Sequence, residues 1–189
     1  MNEPLEKGNV YHFFNRGCNR EPIFFSKENY LYLLRKVKST HARYGVDVLA
    51  YCLMPNHYHF LIKQKTERPL SDWIKMLFNG YVQAVNKQQN RTGTLFAGRA
   101  RHVLVDDDAY FVHLARYIHL NPVKAKLVDD PSDWPYSNFL EWVEKRPGTL
   151  VNREFVKSYF EDIKDYEEFI YSHIVDSNGD KKITKYIFD

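Results

Sequence analysis

Two positions one residue apart, His57 and His59, and two positions four apart, Tyr117 and Asn121, are where this 189-residue chain could do chemistry. On an extended strand, residues i and i+2 point to the same face with about 6–7 Å between their Cα atoms. Two imidazoles placed in this way can converge on one divalent ion, while Tyr58, Phe60 and Ile62 point to the opposite face, where helices can cover them. On a helix the relevant interval is four. With about 100° per residue, Tyr110, His113, Tyr117 and Asn121 form one polar stripe, beside an apolar stripe of Phe111, Leu114, Ala115 and Ile118 that can dock on a sheet. Asn121 then offers an amide oxygen as a third metal ligand, with His113 as a rival on the same face, and Tyr117 offers a phenol that can attack a phosphodiester. Each feature also has an ordinary explanation. Tyrosines on helices commonly pack with a wet hydroxyl, asparagine before proline ends helices, and a His-any-His pair arises by chance.

The surrounding sequence supplies elements able to position these groups. Gly8 to Arg16 reads as a strand rich in aromatic and β-branched residues. Ser26 is a candidate N-cap for a helix marked by Tyr30, Leu33, Leu34, Val37 and His41 and ended by Gly45. Val46 to Met54 has the unbroken apolar pattern of a buried strand, Pro55-Asn56 interrupts it, and His57 to Lys63 resumes it, which predicts a hairpin. Leu70, Ile74, Leu77, Tyr81, Ala84 and Val85 mark a second helix, Asn90 to Gly98 a loop, and His102 to Val105 a short strand. Asp106, Asp107 and Asp108 open a third helix that runs to about Leu120, where Asn121-Pro122 should stop it. The order βαββαβα predicts an α+β fold: a ferredoxin-like antiparallel sheet with helices packed on one face, the other face free for a ligand, plus a C-terminal helical extension. The boundaries expected are a catalytic domain over 1–130 and, over 131–189, a Pro/Trp-rich connector (Pro131 to Trp142) and an acidic segment helical from Arg153 to about His173.

Composition narrows the classes. No apolar run approaches the 18 residues of a membrane span, and the first residues lack the pattern of a signal peptide. Cys18 and Cys52 make neither a disulfide framework nor a four-thiolate zinc site, so a cytoplasmic setting is expected. The net charge of +3 is uneven: residues 1–130 hold 19 Lys+Arg against 12 Asp+Glu, and residues 131–189 hold 8 against 12. The basic part suits a polyanion such as nucleic acid. Arg16, Arg20, Lys63, Arg99, Arg101, Arg116 and Lys124 lie near the motifs and are candidate DNA contacts.

Two longer stretches resemble a known family. Ala50 to Ile62, which contains Pro55-Asn56-His57-Tyr58-His59-Phe60, is similar to the histidine motif of the REP-associated tyrosine transposases, within the wider class of single-strand (HUH, Y1-type) transposases and relaxases. Arg116 to Ala125 (Arg-Tyr-Ile-His-Leu-Asn-Pro-Val-Lys-Ala) resembles that family's tyrosine motif, and Asn15-Arg16-Gly17 and Gly93 to Arg99 resemble further family positions. The likeness covers roughly residues 8 to 140. It departs from the family at Lys126, where glycine is usual, and at Ala97, where glutamine is frequent. The resemblance implies that His57, His59 and Asn121 bind Mg²⁺ or Mn²⁺. It also implies that Tyr117 forms a 5′-phosphotyrosine link with single-stranded or hairpin DNA, in a monomer or a homodimer. Such chemistry is reversible because a phenol, with a pKa near 10, leaves more readily than an alkoxide. A hairpin-binding protein that has lost cleavage and a metal-dependent single-strand endonuclease using bound water are the alternatives, although neither motif contains the Asp or Glu that would activate a water.

Overall fold

The computed structural model describes residues 4–160 and 162–175. Strands β1 (Val10–Arg16), β2 (Val46–Met54), β3 (His57–Gln64) and β4 (Arg101–Val105) form one antiparallel sheet in the order β2-β3-β1-β4. Helix α1 (Lys27–Thr40) links β1 to β2, α2 (Leu70–Gln88) links β3 to β4, and α3 (Asp108–Lys124) follows β4. This is the α+β, ferredoxin-like arrangement expected from the sequence. Local chemistry accounts for the element starts. Ser26 and Asn29 form a capping box at α1. The Asp107 side chain accepts the Tyr110 N–H at the start of α3, and Asp108 lies in its positive first turn. Pro55-Asn56 turns β2 directly into β3, with Met54 opposite His57.

The apolar alternation divides the sheet between two cores. Tyr11, Phe13, Tyr58, Phe60 and Ile62 pack under α1 and α2 with Leu33, Val37, Trp73, Leu77 and Tyr81. β2 contributes to both sides. A bulge at Leu49 puts one extra residue between the pairs Val48–Ile62 and Ala50–Leu61. Val46, Val48, Tyr51 and Leu53 therefore join the first core, while Leu49, Ala50, Cys52 and Met54 join the second.

Only α1 and α2 obey the one-face expectation. The second face is not free. α3 lies there with α4 (Phe139–Trp142), α5 (Arg153–Lys157) and α6 (Ile163–Val175), sharing a core that includes Leu61, Phe111, Leu114, Ile118, Trp142, Tyr166 and Ile170. The cause lies in α3, where the run from Leu114 through Pro122 is buried, more than one apolar stripe against a sheet can cover. The extension also serves β2, an edge strand whose outer backbone groups need partners. The Leu53 N–H donates to the Tyr136 carbonyl (2.9 Å), the Tyr51 N–H to Asn138 Oδ1 (2.7 Å), and the Trp142 indole N–H to the Leu49 carbonyl (2.8 Å). The described part of the extension is thus built into the same body as the sheet.

Two helix boundaries differ from expectation. α3 passes through Asn121-Pro122 to Lys124: the proline forgoes its own donor bond, but the turn closes around it through the Ala125 N–H to the Asn121 carbonyl and the Leu127 N–H to the Pro122 carbonyl. The segment expected as one helix from Arg153 to His173 is split, and Asp162 opens α6 by accepting the Lys164 N–H. Ion pairs Lys145–Glu167, Arg146–Glu141 and Lys157–Glu144 join residues of the extension to one another. Among the described residues no helix is long and apolar enough to cross a membrane.

Candidate active site

β3 and α3 bring the four chemistry-bearing residues together on the second face. His57 and His59 project from β3 with ring centroids 5.1 Å apart at 85°. α3 lays its last turns across them. Asn121 Oδ1 is 3.0 Å from His57 Nε2, and Asn121 Nδ2 is 3.4 Å from His59 Nε2, so one amide spans both imidazoles. One turn earlier, the Tyr117 ring meets the His59 ring edge to face at 5.5 Å, and Lys124 Nζ lies 5.3 Å from the centre of the same phenol ring. Continuation of α3 through Pro122 is what keeps Asn121 on the Tyr117 side of the helix.

Hydrogen bonding around the histidines sets their tautomers. The Asn56 amide donates from Nδ2 to the Arg20 carbonyl at 3.1 Å, which turns its Oδ1 toward His57 Nδ1 at 2.7 Å. His57 Nδ1 must then be the N–H donor, and Nε2 keeps its lone pair. Burial lowers the His57 pKa, against the opposing effect of Asn121, and lowers that of His59 further with help from His12 and His57. Both rings are accordingly neutral near pH 7, the form that ligates metals. The His57 Nε2 lone pair and the Asn121 oxygen, two acceptors, then face each other at 3.0 Å with no proton to share. That contact suits a cation: donors bound side by side to one ion at about 2.1 Å stand about 3 Å apart. Among the described residues no group of three or more His, Cys, Asp or Glu side chains could hold a metal, so the amide is needed to complete a three-ligand set.

The other candidates separate. His113 is not with this group: its Nδ1 accepts from Arg116 at 3.1 Å and its ring packs on Phe169 of α6. Arg116 is buried, with its guanidinium 4.3 Å from the Phe169 ring centre, so it is removed from the set of DNA-facing bases, because α6 covers that side of α3. Lys63 leans over the Phe155 ring at 5.9 Å. Arg16 ends β1 opposite His57, and with Cys18, Asn19, Arg20 and Ala97 it lines an open depression beside the histidines. Exposed Arg99 follows in the adjoining loop, exposed Arg101 begins β4 over the Phe14 ring, and Lys124 is exposed at the end of α3.

Asn15-Arg16-Gly17 and the loop from Gly93 to Arg99 form one structure. The Ala97 N–H donates to the Arg16 carbonyl, Asn15 Nδ2 donates to the Gly98 carbonyl, and Gly17 bridges Phe96. Gly17 has an ordinary extended φ, but a methyl group there would collide with the Glu21 carbonyl. Sequence reasoning missed Asn56 and His12. Asn56 read as a turn residue. His12 sits in an aromatic strand, and its meeting with His59 depends on the β1–β3 register, which the sequence does not display.

Comparison with known proteins agrees with this architecture. The model of the family described as "Transposase IS200 like" matches residues 7–121, more than half of the chain. A protein of Haemophilus influenzae named as a REP-associated tyrosine transposase is 28% identical over 116 residues, which is 54% of this chain and 64% of that relative. The chain thus spans somewhat less than two thirds of that relative's length. The structure of a REP-associated tyrosine transposase bound to a REP hairpin superposes with a TM-score of 0.66 at 18% identity, covering 80% of this chain and 93% of that one, which establishes a shared fold. With the histidine segment and the stretch from Arg116 through Asn121 inside the matched region, this chain belongs to the IS200-like transposase family.

Proposed function

We propose that this protein cleaves and rejoins single-stranded or hairpin DNA by transesterification through a 5′-phosphotyrosine at Tyr117, assisted by a divalent ion, Mg²⁺ or Mn²⁺, at His57, His59 and Asn121. The observation that carries the reading is one contact set: the Asn121 amide spans the two imidazoles, while Tyr117, one turn away, lies against His59 of the same chain. That proximity favours a tyrosine acting beside its own subunit's histidines, so that a monomer suffices. The hairpin in the complex of the structurally similar transposase supports hairpin DNA as the partner class.

A phosphodiester resists attack because its charge repels nucleophiles. The ion, when bound, polarises a phosphoryl oxygen and stabilises the charge that accumulates there. Tyr117 supplies the attacking oxygen. A bond forms between Oη and phosphorus, the bond from phosphorus to the 3′-oxygen breaks, and in net balance the phenol proton ends on the released 3′-hydroxyl. A DNA 3′-hydroxyl reverses the step and rejoins strands without an external energy source. Neutral ligands leave the ion's positive charge largely uncompensated, which strengthens its pull on phosphate at the expense of affinity in the absence of DNA. In this reading Arg16, Arg20, Arg99, Arg101 and Lys124 hold the DNA backbone.

The test is a labelled hairpin oligonucleotide with a single-stranded flank, incubated with Mn²⁺ and resolved on a denaturing gel. A covalent protein–DNA adduct is expected, absent in Tyr117→Phe and in metal-free buffer. Cleavage that persists in Tyr117→Phe without an adduct would instead identify a hydrolase using bound water. Binding without cleavage by the unmodified protein would identify a hairpin-binding protein.

A further inference from the structure

His12 is fully buried at the centre of β1, on the same face as His59 but one pair further along the register, where His12 stands opposite Leu61 and Phe14 opposite His59. His12 Nε2 lies 2.9 Å from His59 Nδ1, with the two rings nearly parallel at 19°. Phe14 stacks on His12 at 4.7 Å and also lies 6.1 Å from the His59 ring. The second nitrogen of His12, Nδ1, is buried without a hydrogen-bond partner. A ring needed only for packing here would be better served by phenylalanine, since burying an imidazole with one nitrogen unsatisfied is costly. The Nε2 contact is therefore the reason for a histidine at this position.

We infer that His12 is a positioning residue that fixes the tautomer and orientation of His59 for metal binding. His59 Nδ1–H donates to His12 Nε2, His12 carries its own proton on Nδ1, and His59 Nε2 is left with its lone pair toward Asn121. The reverse arrangement would put a proton on His59 Nε2 facing the amide hydrogens of Asn121, donor against donor. Asn56 plays the equivalent part for His57 through Nδ1. Both histidines are thus oriented by neutral acceptors. A carboxylate in either place would fix the tautomer equally well but would offset the charge that the site needs for drawing a phosphate. The inference rests on the metal reading proposed above.

The experiment measures Mn²⁺ binding directly, by the free-ion electron paramagnetic resonance signal, for the unmodified chain, His12→Phe and His12→Gln. Phenylalanine keeps the stack on Phe14 and removes the acceptor, and it is expected to weaken Mn²⁺ binding by about 10–100-fold. Glutamine restores an acceptor and should recover part of that loss. Hairpin binding in EDTA should be the same for all three, and excess Mn²⁺ should restore adduct formation to His12→Phe. Equal Mn²⁺ affinity for the unmodified chain and His12→Phe would overturn the inference. Should His12→Phe not fold, imidazole ¹⁵N spectra of the unmodified metal-free protein decide the matter. His59 protonated on Nδ1 and bare on Nε2 is expected, and the opposite assignment overturns it. An unmodified chain that binds no Mn²⁺ would overturn the metal reading itself, while the nitrogen spectra would still decide whether His12 sets the tautomer.

Discussion

Lys126 shows how a single residue can work against its own backbone. It follows the C-cap of α3 at φ +55°, in the left-handed region, with its N–H bonded to the Val123 carbonyl and the Leu127 N–H bonded to the Pro122 carbonyl. Helices commonly end in this way, and glycine is preferred there because a Cβ costs about 1–2 kcal/mol in this conformation. The glycine found here in the family motif thus has a physical reason, and the lysine is a tolerated strain rather than a change of site. Lys126→Gly should raise stability by about 0.5–1 kcal/mol after the greater freedom of glycine in the unfolded chain is deducted. That corresponds to a thermal midpoint about 1–4 °C higher. Because Asn121 lies in the turn before, adduct formation should be unchanged. A midpoint that fell would mean that the lysine side chain makes a contact worth more than the strain.

At the scale of elements, β3 was legible and α3 only in part. The alternation of His57, His59 and Leu61 against Tyr58, Phe60 and Ile62 fixes which side chains share a face, and a two-residue turn after an apolar strand leaves little choice of partner. The polar stripe of α3 correctly joined Tyr117 to Asn121. It did not show that His119, which points away from them, is fully buried, because the groups that bury it come from later in the chain. His119 Nδ1 accepts from the Tyr166 hydroxyl at 2.5 Å, and its Nε2–H donates to Asn138 Oδ1 at 3.0 Å. Periodicity reports that a face is apolar, not which distant segment will cover it. His119 in α3 and His12 in β1 have a common consequence. Burial lowers the pKa of His119 to about 4 and that of His12 to about 3. Their folded-state values lie below the ordinary 6.5, so the unfolded chain takes up protons first as the pH drops. Their contribution is fully present above pH 6.5 and is lost progressively as the pH falls toward the folded values. Between pH 6.5 and 5, before most carboxylates titrate, each histidine should cost about 2 kcal/mol. The urea midpoint is expected to fall clearly between pH 7 and 5, and an unchanged midpoint would show that both rings protonate readily in the folded state.

The whole molecule depends on a division of labour between a ferredoxin-like sheet that presents the histidines and a C-terminal extension that holds the helix above them. The acidic charge of residues 131–189 has the sign that would screen the basic surface of residues 1–130. The described contacts point to a different role. Val151, Val156, Tyr166 and Ile170 are buried against α3 and β2, and Phe155 and Tyr159 close over Phe111. Tyr159 and Tyr171 also donate to Asp108 and Asp130, at the start of α3 and just beyond its end. At about 1.5–3 kcal/mol per buried side chain, these four buried residues alone contribute roughly 6–12 kcal/mol of gross burial, comparable with the net stability of an ordinary domain. Part of that is offset by the entropy of ordering the segment itself. Shortening the chain to residues 1–145 removes these contacts and uncovers Phe111 and His119 while leaving His57, His59, Tyr117 and Asn121 in the sequence. The shortened chain is expected to bind a hydrophobic dye, to lose a cooperative thermal transition near that of the full chain, and to form no phosphotyrosine adduct. A soluble 1–145 chain with an unaltered melting midpoint would show that the sheet and α3 stand without the extension. A chain that kept its midpoint and formed adduct faster would return the acidic segment to the role of a screen.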